Sequence, residues 1–235
     1  MSIMRFWSST WRHAKCNMKT VLITGASRGI GKAVAQKFLQ EGYFVIGTSR
    51  AGTVDFEHEN LIIFSLDLLN SESIAACAQA IGGRNKKIDI LINNAGMWFE
   101  GDYDKEVDTN ILRKTLEGNL IGVVDFTERL IPFLNKGAHV INISSRQGSF
   151  GCIKTFYTAA YSISKAALNM YTRHLAYRLA GEVIVSAVHP GYVKTDMNEG
   201  EGEIESDEAA VDIFNLSVRD VPSGQFWHKG ENFPW

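Results

Sequence analysis

The sequence predicts a single doubly wound α/β domain with a mostly parallel sheet of about six or seven strands. Short apolar runs alternate with helical periods along the chain. Those runs are continuous rather than alternating, as in strands buried on both faces. No repeat and no Pro/Gly/Ser-rich linker divides the 235 residues, so residues 18–235 form one domain.

The elements follow in order. "TVLITG" from Thr20 is rich in β-branched residues and reads as the first strand. Ile30, Val34 and Phe38 recur every fourth position, and Gly42 supplies a helix stop. "YFVIGTS" and "LIIFSLD" are the second and third strands. Ile74, Cys77, Ala78 and Ile81 keep the i, i+3, i+4, i+7 spacing of an amphipathic helix. "IDILINNAG" is the fourth strand, and a long helical region runs from Thr109 to Leu134, weakened by Gly118 and Gly122. "HVINISS" is the fifth strand, followed by a helix holding Tyr161. "VIVSAVHPG" is the sixth. An irregular stretch comes next: Thr195 to Val218 carries eight acids and no Lys or Arg, with "NEGEGEIESDE" its most loop-like part. "QFWHKG" forms a last short strand. Right-handed crossovers place helices on both faces of such a sheet.

Composition narrows the function. A net charge of −2 gives no electrostatic footprint for nucleic acid. No run approaches the ~18 apolar residues that span a bilayer. Three scattered cysteines, Cys16, Cys77 and Cys152, form no C-x-x-C and read as free thiols in a reducing compartment, with Cys77 and Cys152 buried. The expected location is cytoplasmic. Residues 1–17 hold Arg5, Arg12 and Lys15 without an acid and read as an extension outside the core, although an Arg- and Ser-rich presequence has the same composition. The six histidines give no metal-ligand spacing, so no metal is expected, and His189 reads as a packed strand residue.

"TGASRGIG", Thr24 to Gly31, joins the first strand to the first helix. Gly25, Gly29 and Gly31 permit a tight turn and close backbone approach to a diphosphate, while Ser27, Arg28 and Ile30 lie at the helix N-terminus, where N–H groups and the dipole favour anions. The turn after the second strand separates two dinucleotides: an acid there binds ribose hydroxyls, an arginine binds a 2′-phosphate. Ser49 and Arg50 occupy that corner, and no acid follows until Asp55. With Arg28 nearby, two guanidiniums can hold the phosphate dianion. The cofactor read from these residues is NADP(H).

These segments together resemble the short-chain dehydrogenases/reductases. The likeness runs from Thr20 to about Met197 through "TGASRGIG", "LDL" at 66–68, "NNAG" at 93–96, "NL" at Asn119, "NISS" at 142–145, "YSISK" at 161–165 and "HPGYVKTDM" at 189–197. The ending, "SGQFWHKGENFPW", resembles the short C-terminus of C-factor and Sniffer-type carbonyl reductases. The resemblance implies an NADPH-dependent reduction of a ketone or aldehyde, with Tyr161 as acid, Lys165 beside the nicotinamide ribose, Ser145 on the substrate oxygen and Asn119 holding a water that links Lys165 to solvent. Strand alternation adds that Ser144 and Ser145 cannot both face the cleft. Tyr161 and Lys165 are i and i+4 on one helix face, so the ammonium is expected to lower the phenol pKa.

The resemblance further implies cofactor contacts from Asp67, Leu68, Asn93, Ala95, Gly96, Pro190, Gly191, Val193 and Thr195. Trp98, Phe150, Phe156 and Tyr192, together with Met97, Phe99, Tyr157 and Met197, flank the predicted reaction site and suit an apolar carbonyl substrate. The segment between Ser145 and Tyr161 is longer than in common members, and the region after Met197 is shorter. A homodimer or homotetramer is the family expectation, with no nucleic acid or membrane partner. A C-factor-type protein that binds NADP(H) without turnover is the alternative.

Overall fold

The computed structural model describes residues 18–99, 106–154 and 156–235. The extension assigned to residues 1–17 lies outside them. Eight strands among the described residues form one sheet in the order β3-β2-β1-β4-β5-β6-β7-β8. They are β1 (Thr20–Ile23), β2 (Phe44–Ser49), β3 (Leu61–Ser65), β4 (Ile88–Asn93), β5 (Leu134–Ile143), β6 (Val183–Val188), β7 (Gln225–His228) and β8 (Glu231–Asn232). All neighbouring pairs up to β6–β7 are parallel, and β8 returns antiparallel on β7. The sheet thus exceeds the expected count by one two-residue strand. It forms because Lys229 and Gly230 both take positive φ, +48° and +74°, as a two-residue hairpin turn requires.

The helices are α1 (Gly29–Gln40), α2 (Ser71–Gly82), α3 (Thr109–Leu116), α4 (Gly122–Leu130), α5 (Ala159–Arg178) and α6 (Ser206–Val218). Alternation along the strands divides the core in two. Leu22 and Leu91 pack with Ile74 and Ile81 of α2, Phe126 of α4 and Leu168 of α5. Ile23 and Ile92 pack on the other face with Val34 and Phe38 of α1 and Ile213 of α6. Strand order reverses between β1 and β4, which opens a crevice at the carboxyl ends of those strands.

Two stretches differ from the sequence expectation. The helical region ends at Leu130, and after a 3-10 turn around Pro132 the strand begins at Leu134, ahead of the expected start at His139. The acidic stretch contains helix α6, where an irregular segment was expected. Ala209, Ile213 and Leu216 of α6 are buried, and Phe214 meets Phe38 edge-on at 5.0 Å. Asp207 and Glu208 sit in its first turn, where the helix dipole favours acids. Cys77 is buried, which pushes its thiol up to about 12, whereas Cys152 is only half-buried. Among the described residues no helix is long and apolar enough to cross a membrane.

His139 of β5 is buried, with Nδ1 3.3 Å from the Ser217 carbonyl and Nε2 2.9 Å from Ser186 Oγ. A carbonyl only accepts, so Nδ1 carries the proton and Nε2 accepts from the serine. Burial lowers this imidazole to about 4, and burial with nearby positive charge lowers His189 to about 3. Each ordinary value is 6.5, so the unfolded chain takes the proton first. Stability from both groups is present above about pH 6.5 and is lost as the pH falls, by about 1.4 kcal/mol per pH unit for each imidazole. Urea midpoints measured from pH 7 to 5 should fall accordingly. The slope should be shallower in His139→Gln, and an unchanged slope would remove His139 from this account.

Candidate active site

The turn after β1 is built by hydrogen bonds to the end of β4. Thr24 Oγ1 accepts the N–H groups of Asn94 and Ala95 at 3.0 and 2.9 Å. Asn94 Nδ2 donates to the carbonyls of Thr24 and Gly25 at 2.8 and 3.3 Å. Gly25 and Gly29 have φ of +71° and +52°, which their lack of Cβ permits. A Cβ on Gly31 would stand 2.1 Å from the Gly25 carbonyl oxygen. Arg28, the α1 N-cap, makes no side-chain cap, which leaves the first-turn N–H groups at the crevice uncapped. Across from them, Thr195 Cγ2 lies 3.4 Å from where a Gly29 Cβ would be. A narrow cradle of backbone donors, kept open by absent side chains, fits a dinucleotide diphosphate.

At the corner after β2, Ser49 Oγ donates to the Thr53 carbonyl at 2.8 Å and accepts its N–H at 3.1 Å. Arg50 is exposed and makes no ion pair among the described residues. Arg28 instead pairs with Asp196 at 3.2 Å across the mouth of the crevice, both side chains about two-thirds exposed. Asp55, the first acid after β2, is engaged by Lys32 at 2.7 Å. Asp67 Oδ1 accepts the Leu69 N–H at 3.0 Å, and Leu68 is buried. Ser27 is half-buried in the glycine turn, and Ile30 packs on the α1–α6 core.

Asn93 ends β4 at the crevice, but its side chain is turned away from it. Its Nδ2 donates to Thr127 Oγ1 of α4 at 2.9 Å and to Asn142 Oδ1 of β5 at 2.8 Å, so it ties the sheet to the helix layer. Asn94 is the residue of that pair that shapes the crevice, and the sequence reading passed over it. Gly96 lies where a Cβ would be 3.6 Å from both Asn119 Oδ1 and Lys165 Nζ. Pro190 and Gly191 follow β6, Gly191 at φ +99°, and Val193 is buried and bridges to Ile204.

Tyr161 and Lys165 share one face of α5, with Nζ 5.5 Å from the phenol ring centroid. The Ser145 side chain hydrogen-bonds the phenol, whereas Ser144 is buried with no hydrogen bond to its hydroxyl among the described residues. Lys165 Nζ donates to the Ile143 carbonyl at 2.8 Å. Asn119 sits in a π-helical turn, Glu117–Ile121, between α3 and α4. It accepts the Met97 N–H and donates to the Met97 carbonyl, both at 2.8 Å, and donates to Ser164 at 3.2 Å. Gln147 is a second residue the sequence reading missed. Its Oε1 accepts from Thr158 Oγ1 and, at 2.9 Å, from Ser162 Oγ, and its N–H donates to Ser145 Oγ at 3.2 Å. Thr158, held at φ +59°, starts α5, so Gln147 joins the loop carrying Ser145 to the turn carrying Tyr161.

The expected lowering of the Tyr161 pKa is not a property of this geometry. Burial pushes the phenol up to about 12, opposed only in part by the Ser145 hydrogen bond. Burial also brings Lys165 down to about 8. The tyrosine is therefore a protonated donor at neutral pH, and the lysine loses its charge just above it.

The aromatic wall is also looser than expected. Phe150 and Phe156 are 80% and 50% exposed, and Tyr157, Tyr192 and Met197 are exposed as well. Met97, Trp98 and Phe99 are half-buried. A cleft of about 490 Å³ opens beside Gln147, with Tyr192 on its rim.

Crevice, cradle and paired Tyr161 and Lys165 define an oxidoreductase of the nicotinamide-binding type. Residues 19–206 match the short chain dehydrogenase family, and the chain belongs to it, near the carbonyl reductases. The 1-hydroxy-2-glutathionyl-2-methyl-3-butene dehydrogenase of Rhodococcus sp. (strain AD45) is 31% identical, with 92% of this chain and 99% of that protein aligned. The NADPH-bound carbonyl reductase from chicken fatty liver superposes with a TM-score of 0.84 at 29% identity, covering 93% of this chain and 94% of that one. The carbonyl reductase Sniffer of Drosophila melanogaster shares the fold, with a TM-score of 0.82 at 24% identity over 93% of this chain and all of that one.

Proposed function

We propose that this enzyme reduces a ketone or aldehyde to an alcohol with NADPH, using Tyr161 as the general acid. The observation that carries the reading is the junction of the Ser145 hydroxyl with a half-buried, protonated Tyr161 on the helix face that also presents Lys165. Bound in the crevice, the dihydronicotinamide supplies a hydride to the carbonyl carbon. Ser145 and Tyr161 donate hydrogen bonds to the carbonyl oxygen, and the Tyr161 proton moves to that oxygen as charge develops there. The Lys165 ammonium stabilises the phenolate left behind, and Asn119 fixes the Met97 backbone beside Gly96 and the lysine. The test is NADPH absorbance with purified protein and a panel of carbonyl compounds. Cofactor binding without consumption across the panel would favour the C-factor-type alternative.

The preference for NADPH is supported by Arg50 at the corner after β2, which makes no ion pair among the described residues, and by Asp55 being engaged with Lys32. The surface pair Arg28–Asp196 is worth at most about 1 kcal/mol, so a phosphate dianion competes for that guanidinium. The chicken carbonyl reductase carries NADPH, in line with this reading. Arg50→Asp should lower the NADPH-over-NADH ratio of kcat/KM by about tenfold or more. An unchanged ratio would remove Arg50 from the phosphate site.

Self-association through α5 is part of the same proposal. Ile163, Met170 and Tyr177 are exposed at seven-residue spacing along that helix. Light scattering at a single subunit mass would exclude it.

A further inference from the structure

The cleft beside Gln147 differs in character from the apolar wall that the sequence suggested. Arg146, Lys154 and Lys229 line it, against a single lining carboxylate, Glu203. None of these three cations makes an ion pair among the described residues, although seven other pairs form there. Arg146 directly follows Ser145, and Lys229 is presented by the β7–β8 turn at φ +48°.

The inner wall is an imidazole pair. His189 and His228 stack with centroids 4.4 Å apart and planes 19° apart. His228 Nδ1 lies 2.9 Å from the His189 carbonyl, which only accepts, so that nitrogen carries the proton. His189 Nδ1 accepts the Gly191 N–H at 3.3 Å, which fixes its proton on Nε2. Burial holds His189 neutral, and the Arg146 charge adds to that effect.

A volume of about 490 Å³ suits a small molecule. A cluster of one guanidinium and two ammonium groups without ion pairs among the described residues, in a cleft linked to Ser145 by the Gln147 N–H, complements an acid group at the far end of a carbonyl compound. We infer that the cleft binds carbonyl substrates bearing a carboxylate, held by Arg146, Lys154 and Lys229, with the carbonyl end toward Ser145 and Tyr161. The inference rests on the reductase reading for the identity of the reacting end. The binding of the acid is tested separately from turnover.

The probes are 4-carboxybenzaldehyde and its methyl ester, alike in shape and differing in charge. Calorimetric titration into protein saturated with NADP⁺ should give about tenfold tighter binding of the acid at low salt, the sum of a few exposed ion pairs. The gap should shrink in 0.5 M salt. It should collapse in the Lys154→Gln/Lys229→Gln double variant, whose changes lie at exposed positions. Equal binding, absence of binding, or a gap that survives the double variant would overturn the inference. With NADPH in place of NADP⁺, preferential binding of the acid with no reduction of either aldehyde would sink the reductase reading and leave the anion site standing. Reduction of both aldehydes without preference would do the reverse.

Discussion

Tyr161→Phe is expected to lower carbonyl reduction by at least about a hundredfold, the low end of what a positioned general acid contributes. NADPH affinity should change by no more than a few-fold, because the glycine cradle and Arg50 lie elsewhere. The phenylalanine keeps the ring, and with it the packing over Lys165 at 5.5 Å. What it removes is the one acidic proton beside the substrate oxygen. Ser145 remains, but a serine hydroxyl is a far weaker acid than a phenol and cannot replace it. Stopped-flow or steady-state NADPH oxidation measures the rate, and fluorescence titration measures the affinity. Reduction at the parent rate would exclude Tyr161 as the acid.

The charge state of Lys165 adds a pH signature to that result. Its ammonium is brought down to about 8 by burial, so it is a cation at neutral pH and is discharged above that. The phenolate formed during reduction then loses its stabilising charge. In the parent enzyme kcat/KM for reduction should hold up to about pH 8 and decline beyond it, while alcohol oxidation, which begins from the phenolate, gains from rising pH.

Parts of this arrangement were readable without coordinates. Continuous apolar runs identified β1 to β6, since a strand covered on both faces needs no polar alternation. Tyr161 and Lys165 share a face because 3.6 residues make a turn. Gly118 and Gly122 marked the helical region around Asn119 as weakened, and a π-helical turn lies there. Helix α6 went unseen because its buried positions, Ala209, Ile213 and Leu216, are diluted by acids that only its solvent face carries. Asn93 shows a signal passed over. Period two along β4 puts it on the face of Leu91, which belongs to the α2–α4–α5 layer, and its partners Thr127 and Asn142 are found there. The proton affinity of Tyr161 was beyond sequence reading for another reason. Spacing gives the distance to Lys165, but the dominant cause is burial, which depends on every element packed around α5.

Gly31→Ala should disable the cofactor site more thoroughly than removal of any one charged contact. The added methyl would stand 2.1 Å from the Gly25 carbonyl oxygen and 2.4 Å from Asn94 Nδ2. Neither can retreat. Asn94 is bonded to Thr24 and Gly25 through its side chain and to Thr24 Oγ1 through its N–H, so the ends of β1 and β4 move only together. The remaining course is for α1 to slide outward, against the packing of Phe38 on Phe214 and the rest of that core. Overpacking of this kind costs about 1–3 kcal/mol, and the first-turn N–H groups leave their places around the diphosphate. NADPH affinity should fall by about a hundredfold or more, with a lower melting temperature. Gly42→Ala is the matched control: at φ +79° it strains the backbone by about 1–2 kcal/mol, yet its Cβ meets nothing within 4 Å and lies at the far end of α1. That variant should melt earlier and bind NADPH as the parent does. If Gly31→Ala also bound normally, the diphosphate would have to lie somewhere other than the turn between β1 and α1.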